Sequence, residues 1–113
     1  MAERWSFYND ELFDLVANNR KHGTCCLYER DDSMSKPGEI NVIYNSKNQE
    51  LVVKITGVRK SRFCDVDASW AKAEGEGDLS LEYWRRVHLE FFTKENPNFK
   101  PTDMLELNEF ELI

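Results

Sequence analysis

Glu74, Glu76 and Asp78, separated by Gly75 and Gly77, form the densest cluster of reactive groups in the chain. Side chains of an extended segment alternate with period two, so in an extended loop all three acids point the same way. Such a row could orient a substrate or hold a hard cation such as Mg²⁺ or Mn²⁺. A second candidate set is Lys21 and Thr24, on either side of a tight helix-to-strand turn. A threonine hydroxyl becomes a nucleophile when a base takes its proton. A lysine can be that base where burial or a nearby cation lowers its pKa, and a carboxylate beside it does the opposite. Both residues also have plain structural explanations. Lys21 suits the negative end of a helix dipole, and Thr24 suits a strand.

Other charged residues are open to two readings. Arg85 can pair with Glu76 or Asp78, or face a phosphate or carboxylate of a ligand. Arg59-Lys60-Ser61-Arg62 is the only basic cluster of note, and reads as a solvated strand end or a phosphate contact. His88 lies on an apolar stripe, where a hydrogen-bonded structural histidine is the expected role; the only other histidine is His22. Cys25, Cys26 and Cys64 lack metal-site spacing and read as reduced thiols.

Elements that could position these groups follow from caps and periodicity. Asn9 or Asp10 can cap a first helix with Leu12, Leu15 and Val16 on its apolar face, Arg20 and Lys21 in its last turn, and Gly23 as its left-handed terminator. Thr24–Tyr28 and Ile40–Tyr44 read as strands, the latter with Ile40, Val42 and Tyr44 on one face. Asn45–Asn48 makes a hairpin turn into a strand in which Leu51, Val53 and Ile55 alternate, and Gly57 marks a bulge. Val66–Ala73 forms a short helix anchored by Trp70. Ser80 caps a long helix carrying Leu81, Trp84, Val87, His88 and Phe91, with Trp84, Phe91 and Phe92 as core, and Pro97 ends it. A last strand has Leu105 and Leu107 on one phase and Phe110 and Leu112 on the other, which implies a second bulge near Asn108. The order gives an α+β domain with a small, mostly antiparallel, curled sheet.

The 113 residues fit one domain, 1–113, and an apolar content of 41% is that of a globular chain. A net charge of −6 argues against a general nucleic-acid-coating surface. There is no apolar run long enough for a membrane helix, and the start Met1-Ala-Glu-Arg-Trp-Ser6 lacks the apolar region of a leader, so a cytoplasmic protein is expected.

Arg20-Lys21-His22-Gly23-Thr24, Pro37-Gly38 and, above all, the run Glu74-Gly-Glu-Gly-Asp-x-Ser-Leu-x-x-Trp-Arg-x-x-His-x-x-Phe-Phe92 resemble the ASCH domain family. The similarity runs in order from about Leu12 to Ile113. Asn19 stands where the family usually has the glycine that opens the lysine turn. The resemblance implies a PUA-like β-barrel with a cleft between the lysine-threonine turn and the acidic loop. ASCH domains as a group are taken to bind RNA or nucleosides. One branch resembles an amidohydrolase acting on N4-acetylcytidine through a lysine, a threonine and a glutamate, which by motif fall on Lys21 (base), Thr24 (nucleophile) and Glu76 (orienting carboxylate). Arg20, Arg59, Glu74, Asp78 and Arg85 are the expected ligand contacts, the partner a nucleoside or short RNA, and no cofactor is implied. Two alternatives remain. One is a non-catalytic RNA-binding module using Arg20, Arg59, Lys60 and Arg62. The other is a metal-dependent ribonuclease, a second activity linked to the family, with the cation on Glu74, Glu76 and Asp78.

Overall fold

The computed structural model describes residues 3–7 and 9–113. Met1 and Ala2, the first residues of the start read for a leader, lie outside the described residues. Among the described residues, five strands and three α-helices follow in the order β1 (Glu3–Ser6), α1 (Asp10–Ala17), β2 (Gly23–Leu27), β3 (Ile40–Tyr44), β4 (Glu50–Arg62), α2 (Ala68–Glu74), α3 (Leu81–Glu95) and β5 (Met104–Leu112). The strands make one curled sheet in the order β1-β3-β4-β5-β2. Only β1 and β3 pair in parallel; the other neighbours are antiparallel. This is an α+β half-barrel, and its concave face holds the site.

The helices start where side-chain caps are available. Asn9 accepts from the Leu12 N–H, Asp67 from the Trp70 N–H and Ser80 from the Tyr83 N–H, each satisfying a backbone donor that the first helical turn leaves free. On α1, Leu12, Phe13 and Val16 are buried; on α3, Trp84, His88 and Phe92 recur every fourth residue and are buried. Phe13 and Val16 pack on Ile43, Val53, Ile55 and Phe110. On the other side, Trp70, Trp84 and Phe92 pack on Leu105 and Leu107.

The lysine turn differs from expectation in a useful way. α1 stops at Ala17, so Arg20 and Lys21 are not in its last turn. Asn19, not Gly23, takes the left-handed conformation, with φ of 60°. Asparagine is among the non-glycine residues that tolerate this region best, which explains how it replaces the usual glycine. Arg20 and Lys21 N–H groups both return to the Leu15 carbonyl, at 2.8 and 3.1 Å. Gly23 serves a different purpose: a Cβ there would meet the Trp70 ring at 2.9 Å. The glycine admits the indole.

Two strand readings are also revised. On β3 it is Asn41 and Ile43 that are buried, whereas Ile40 is exposed and Val42 and Tyr44 are half-buried on the outer face. On β5 the bulge near Asn108 is not needed. The register irregularity lies on β4, between Ile55 and Gly57, facing Phe110 and Glu109. Leu105, Glu106, Leu107 and Asn108 are all buried, because β5 is covered on both faces. One phase meets the α2–α3 core and the other faces the concave side.

Candidate functional site

His22 ties three elements together. Its N–H donates to the Ala73 carbonyl near the end of α2 (2.7 Å), and its carbonyl accepts from the Phe110 N–H of β5 (2.9 Å). The preceding residue, Lys21, is thereby held against the end of α2. The Lys21 Nζ donates to the Glu74 carbonyl (3.2 Å), to Glu74 Oε1 (3.1 Å) and to Glu76 Oε2 (2.8 Å), which uses all three ammonium protons. Its side chain is 1% exposed. Phe7 lies 5.5 Å from the nitrogen, ring centre to Nζ.

Glu74 is as fully engaged as Lys21. It is the last residue of α2 rather than part of an extended loop. Its Oε2 accepts from both the Trp70 and the Trp84 indole N–H, each at 2.7 Å, and its Oε1 faces Lys21 and the His88 Nε2 at 3.5 Å. The His88 Nδ1 lies 2.9 Å from the Trp84 carbonyl, which can only accept, so that nitrogen carries a proton. The imidazole also stacks on Trp84 at 4.4 Å between ring centres.

Burial alone would discharge these groups, but their mutual attraction wins. For Lys21, burial lowers the pKa, while Glu74 and Glu76 raise it further, so the ammonium is stabilised. For Glu74, burial raises the pKa, but Lys21 and then His88 hold it well below the usual carboxylate range. For His88, burial is again outweighed by Glu74, and the pKa is raised. A raised folded pKa means that protonated His88 contributes stability in full below its ordinary value of 6.5, lost as pH rises through the folded value. The wild-type melting temperature should therefore fall as pH rises above 6.5, through the raised folded value. His88→Gln should remove that slope. Parallel wild-type and variant profiles across this window would show that the imidazole does not titrate there.

The cluster opens on a pocket of about 760 Å³ on the concave side, and Lys21, Thr24, Glu74 and Glu76 all line it. Thr24 on β2 sits directly opposite Asn108 on β5. The remaining expected contacts do not reach the pocket. Arg20 and Arg85 are exposed outside it. Arg59 is exposed, with its guanidinium 5.6 Å from the Trp70 ring centre. Lys60 pairs with Asp31 at 3.0 Å. Asp78 is exposed and accepts from the Ser80 N–H at 2.9 Å, capping the approach to α3.

The acidic row is not a cation site. Gly75 and Gly77 have φ of 71° and 60°, so the loop folds instead of extending. Glu74 and Glu76 turn in to Lys21, and Asp78 turns away. Donor atoms of Cys25, Glu74 and His88 do lie within 4.8 Å of one another. That trio suits a metal poorly. Both Glu74 oxygens are already occupied by N–H donors, and an ammonium stands 3.1 Å away. Burial, with Glu74 adding to it, also pushes the Cys25 thiol far above its ordinary pKa, so it is neither a ready thiolate ligand nor a nucleophile.

Sequence reasoning missed Trp5, Phe7, Asn41, Glu106 and Asn108, which also line the pocket. Asn41 shares its strand phase with buried Ile43, and Glu106 and Asn108 share theirs with buried Phe110. A polar residue on the apolar phase of a strand was the available signal. The Asn41 Oδ1 accepts from the Trp5 indole N–H at 2.8 Å. Its Nδ2, and the Oδ1 of Asn108, are buried with no partner among the described residues. Each such orphan costs about 1–3 kcal/mol.

The sequence profile of the ASCH domain matches residues 3–113. The chain belongs to the ASCH domain family. Solved structures agree with this. An ASCH domain from Lactobacillus crispatus superposes with a TM-score of 0.87 at 25% identity, over 97% of this chain and 79% of that one. Protein EF3133 from Enterococcus faecalis gives 0.85 at 30% identity, over 100% and 80%. Protein PF0455 from Pyrococcus furiosus, at 21% identity and TM-score 0.59 over 100% and 98%, shares the fold. No curated protein is detectably similar. The half-barrel is thus the PUA-like ASCH fold, and no helix among the described residues is long and apolar enough to cross a membrane.

Proposed function

We propose that the pocket of this ASCH domain takes an uncharged nucleoside and hydrolyses an amide on its base. The observation that carries this reading is the Lys21 ammonium held at 2.8 Å from Glu76 in the pocket that Thr24 also lines. Pockets of about 300–1,000 Å³ suit ligands of that size. Charge narrows the class. Among the described residues, Glu3, Glu39, Glu74, Glu76, Glu95 and Glu106 line the pocket against one ammonium, that of Lys21, and the imidazole of His88. A phosphate would enter against that field, whereas an uncharged nucleoside is indifferent to it. RNA fits the same reading where an unpaired nucleoside enters and its phosphates stay outside.

The raised pKa of Lys21 argues for a change of roles relative to the resemblance. A protonated lysine is no base. Glu76 is suited to take the Thr24 proton, and its neutralisation frees the ammonium proton it held for the oxyanion of a tetrahedral intermediate. Thr24 Oγ1 would attack the amide carbon, Glu76 would pass the proton to the departing amine, and water would release the acyl group. Incubation of the protein with N4-acetylcytidine should release cytidine and acetate. Lys21→Met, Thr24→Val and Glu76→Gln should each slow release by about 100-fold or more. Wild-type rates in all three variants would remove the assignment. Affinity for long RNA that drops steeply with salt, without nucleoside turnover, would favour a phosphate-binding module.

A further inference from the structure

Two buried amides in the pocket are unexplained by the Lys21 cluster. Asn41 is 2% exposed and Asn108 is 7% exposed. The Trp5 indole fixes how Asn41 must be oriented, because an N–H needs an acceptor; the Asn41 oxygen is therefore spent and its NH₂ group is the free end. At Asn108 it is the oxygen that is free. Two residues that line the pocket thus carry one unpaired donor and one unpaired acceptor, at different places.

The sheet register sets their separation. Asn41 pairs with Val53 of β4, and Asn108 pairs with Val58 of β4 and with Thr24 of β2. The two residues flank β4, about 10 Å apart across the strands and further offset along them. Curling of the sheet brings the side chains toward each other but does not put them on one ligand atom. Asn108 stands beside Thr24, with Cβ atoms about 5 Å apart as for any directly paired residues. Asn41 stands beside Trp5, which packs edge-on against Phe7 at 5.0 Å between ring centres. The donor therefore belongs to an aromatic end of the pocket and the acceptor to the Thr24 end.

Building on the pocket reading above, we infer that Asn41 and Asn108 are its specificity residues. Asn41 donates to a carbonyl or ring-nitrogen acceptor on a flat heteroaromatic ring lodged by Trp5 and Phe7. Asn108 accepts from an N–H or O–H of the same ligand beside Thr24. The ligand class is an uncharged heteroaromatic amide with an acceptor at one end and a donor at the other.

Two substitutions separate this role from a structural one. Asn108→Leu replaces the unpaired acceptor by a side chain of similar size. Asn41→Asp keeps the acceptor for Trp5 and removes the donor. Melting temperatures of both variants, and their affinities for cytidine, uridine and N4-acetylcytidine by calorimetry, are the measurements. Asn108→Leu should melt at or above the wild-type temperature, since an orphaned oxygen leaves the core, yet bind its preferred nucleoside about tenfold more weakly or worse. Asn41→Asp should weaken binding at least as much. A marked fall in the melting temperature of Asn108→Leu would make Asn108 a structural residue and overturn the inference. Unchanged affinities in both stable variants would overturn it while leaving the nucleoside pocket standing. If the wild type binds none of the three nucleosides, the pocket reading itself fails, and the assignment with it.

Discussion

Glu74→Ala should lower the stability of this ASCH domain by about 3–5 kcal/mol, the usual cost of removing one partner from a buried ion pair. For a chain of this size that is a drop of roughly 10–20 °C in melting temperature. The cause is not the lost attraction alone. Glu74 is 1% exposed, and its carboxylate satisfies two indole N–H groups and one of the Lys21 protons. Without it, the Trp70 and Trp84 donors are orphaned and the ammonium is left in the interior with Glu76 as its remaining carboxylate. Lys21→Met alone should also destabilise strongly, since it strands the Glu74 charge beside His88. The pair Lys21→Met with Glu74→Gln should be less destabilised than the sum of its single variants, by up to about 3 kcal/mol. The amide still accepts from the indoles, and neither member of the Lys21–Glu74 pair is left charged without its partner. Strict additivity, or a Glu74→Ala variant within about 1 kcal/mol of wild type by urea denaturation, would sink this account.

The same network sets the pH limits of the fold. The depressed Glu74 pKa means its contribution is present above the ordinary value of 4.5 and lost as pH falls through the lower folded value. The raised Lys21 pKa means its contribution is present below 10.5 and lost as pH rises beyond it. Stability should therefore be greatest on the acidic side of neutrality, where the Glu74, Lys21 and His88 contributions coexist.

Local signals carried much of the fold. The Ser80 cap and the helical spacing of Leu81, Trp84, Val87, His88 and Phe91 made α3 legible, and Gly57 marked the β4 irregularity where it occurs. What failed depended on partners distant in sequence. The strand Glu3–Ser6 was invisible because it is four residues long, mostly exposed, and pairs with β3, far along the chain. Lys21 read naturally as a helix-end cation, since nothing within its own turn discloses Glu74, 53 positions away. The glycine-spaced acids suggested a common direction, but that holds only for extended chain, and two positive φ angles break it. Motif resemblance brought Lys21, Thr24 and Glu76 forward together; the geometry then separated Glu74, a buried anchor, from Asp78, a cap, in a row of acids that composition treats alike. Asn41 and Asn108 lie outside the quoted motif, and their meaning depended on which strand phase faces the concave side.

Gly75→Ala should be the most damaging single-methyl change in the molecule, and it should act on the site as well as on the fold. Gly75 terminates α2 in the left-handed region, with φ of 71°, where any side chain incurs about 1–2 kcal/mol of strain. A Cβ there would also run into the Arg20 carbonyl oxygen and approach the Lys21 Cα to 3.2 Å. These are backbone atoms, so no rotamer change relieves the clash; the lysine turn must move off the end of α2. That motion pulls the ammonium away from Glu74 and Glu76, which makes the loss larger than strain alone, about 3 kcal/mol or more. Two other left-handed glycines provide controls. Gly38 has φ of 94°, and a Cβ added there would meet nothing within 4 Å, so Gly38→Ala should show only the backbone strain. At Gly77 the obstacle is the Tyr83 ring, a side chain that can swing aside. The expected order of damage is Gly75→Ala, then Gly77→Ala, then Gly38→Ala, read as melting temperatures. If Gly75→Ala is no worse than Gly38→Ala, the close seating of the lysine turn on α2 is not what holds Lys21 in place.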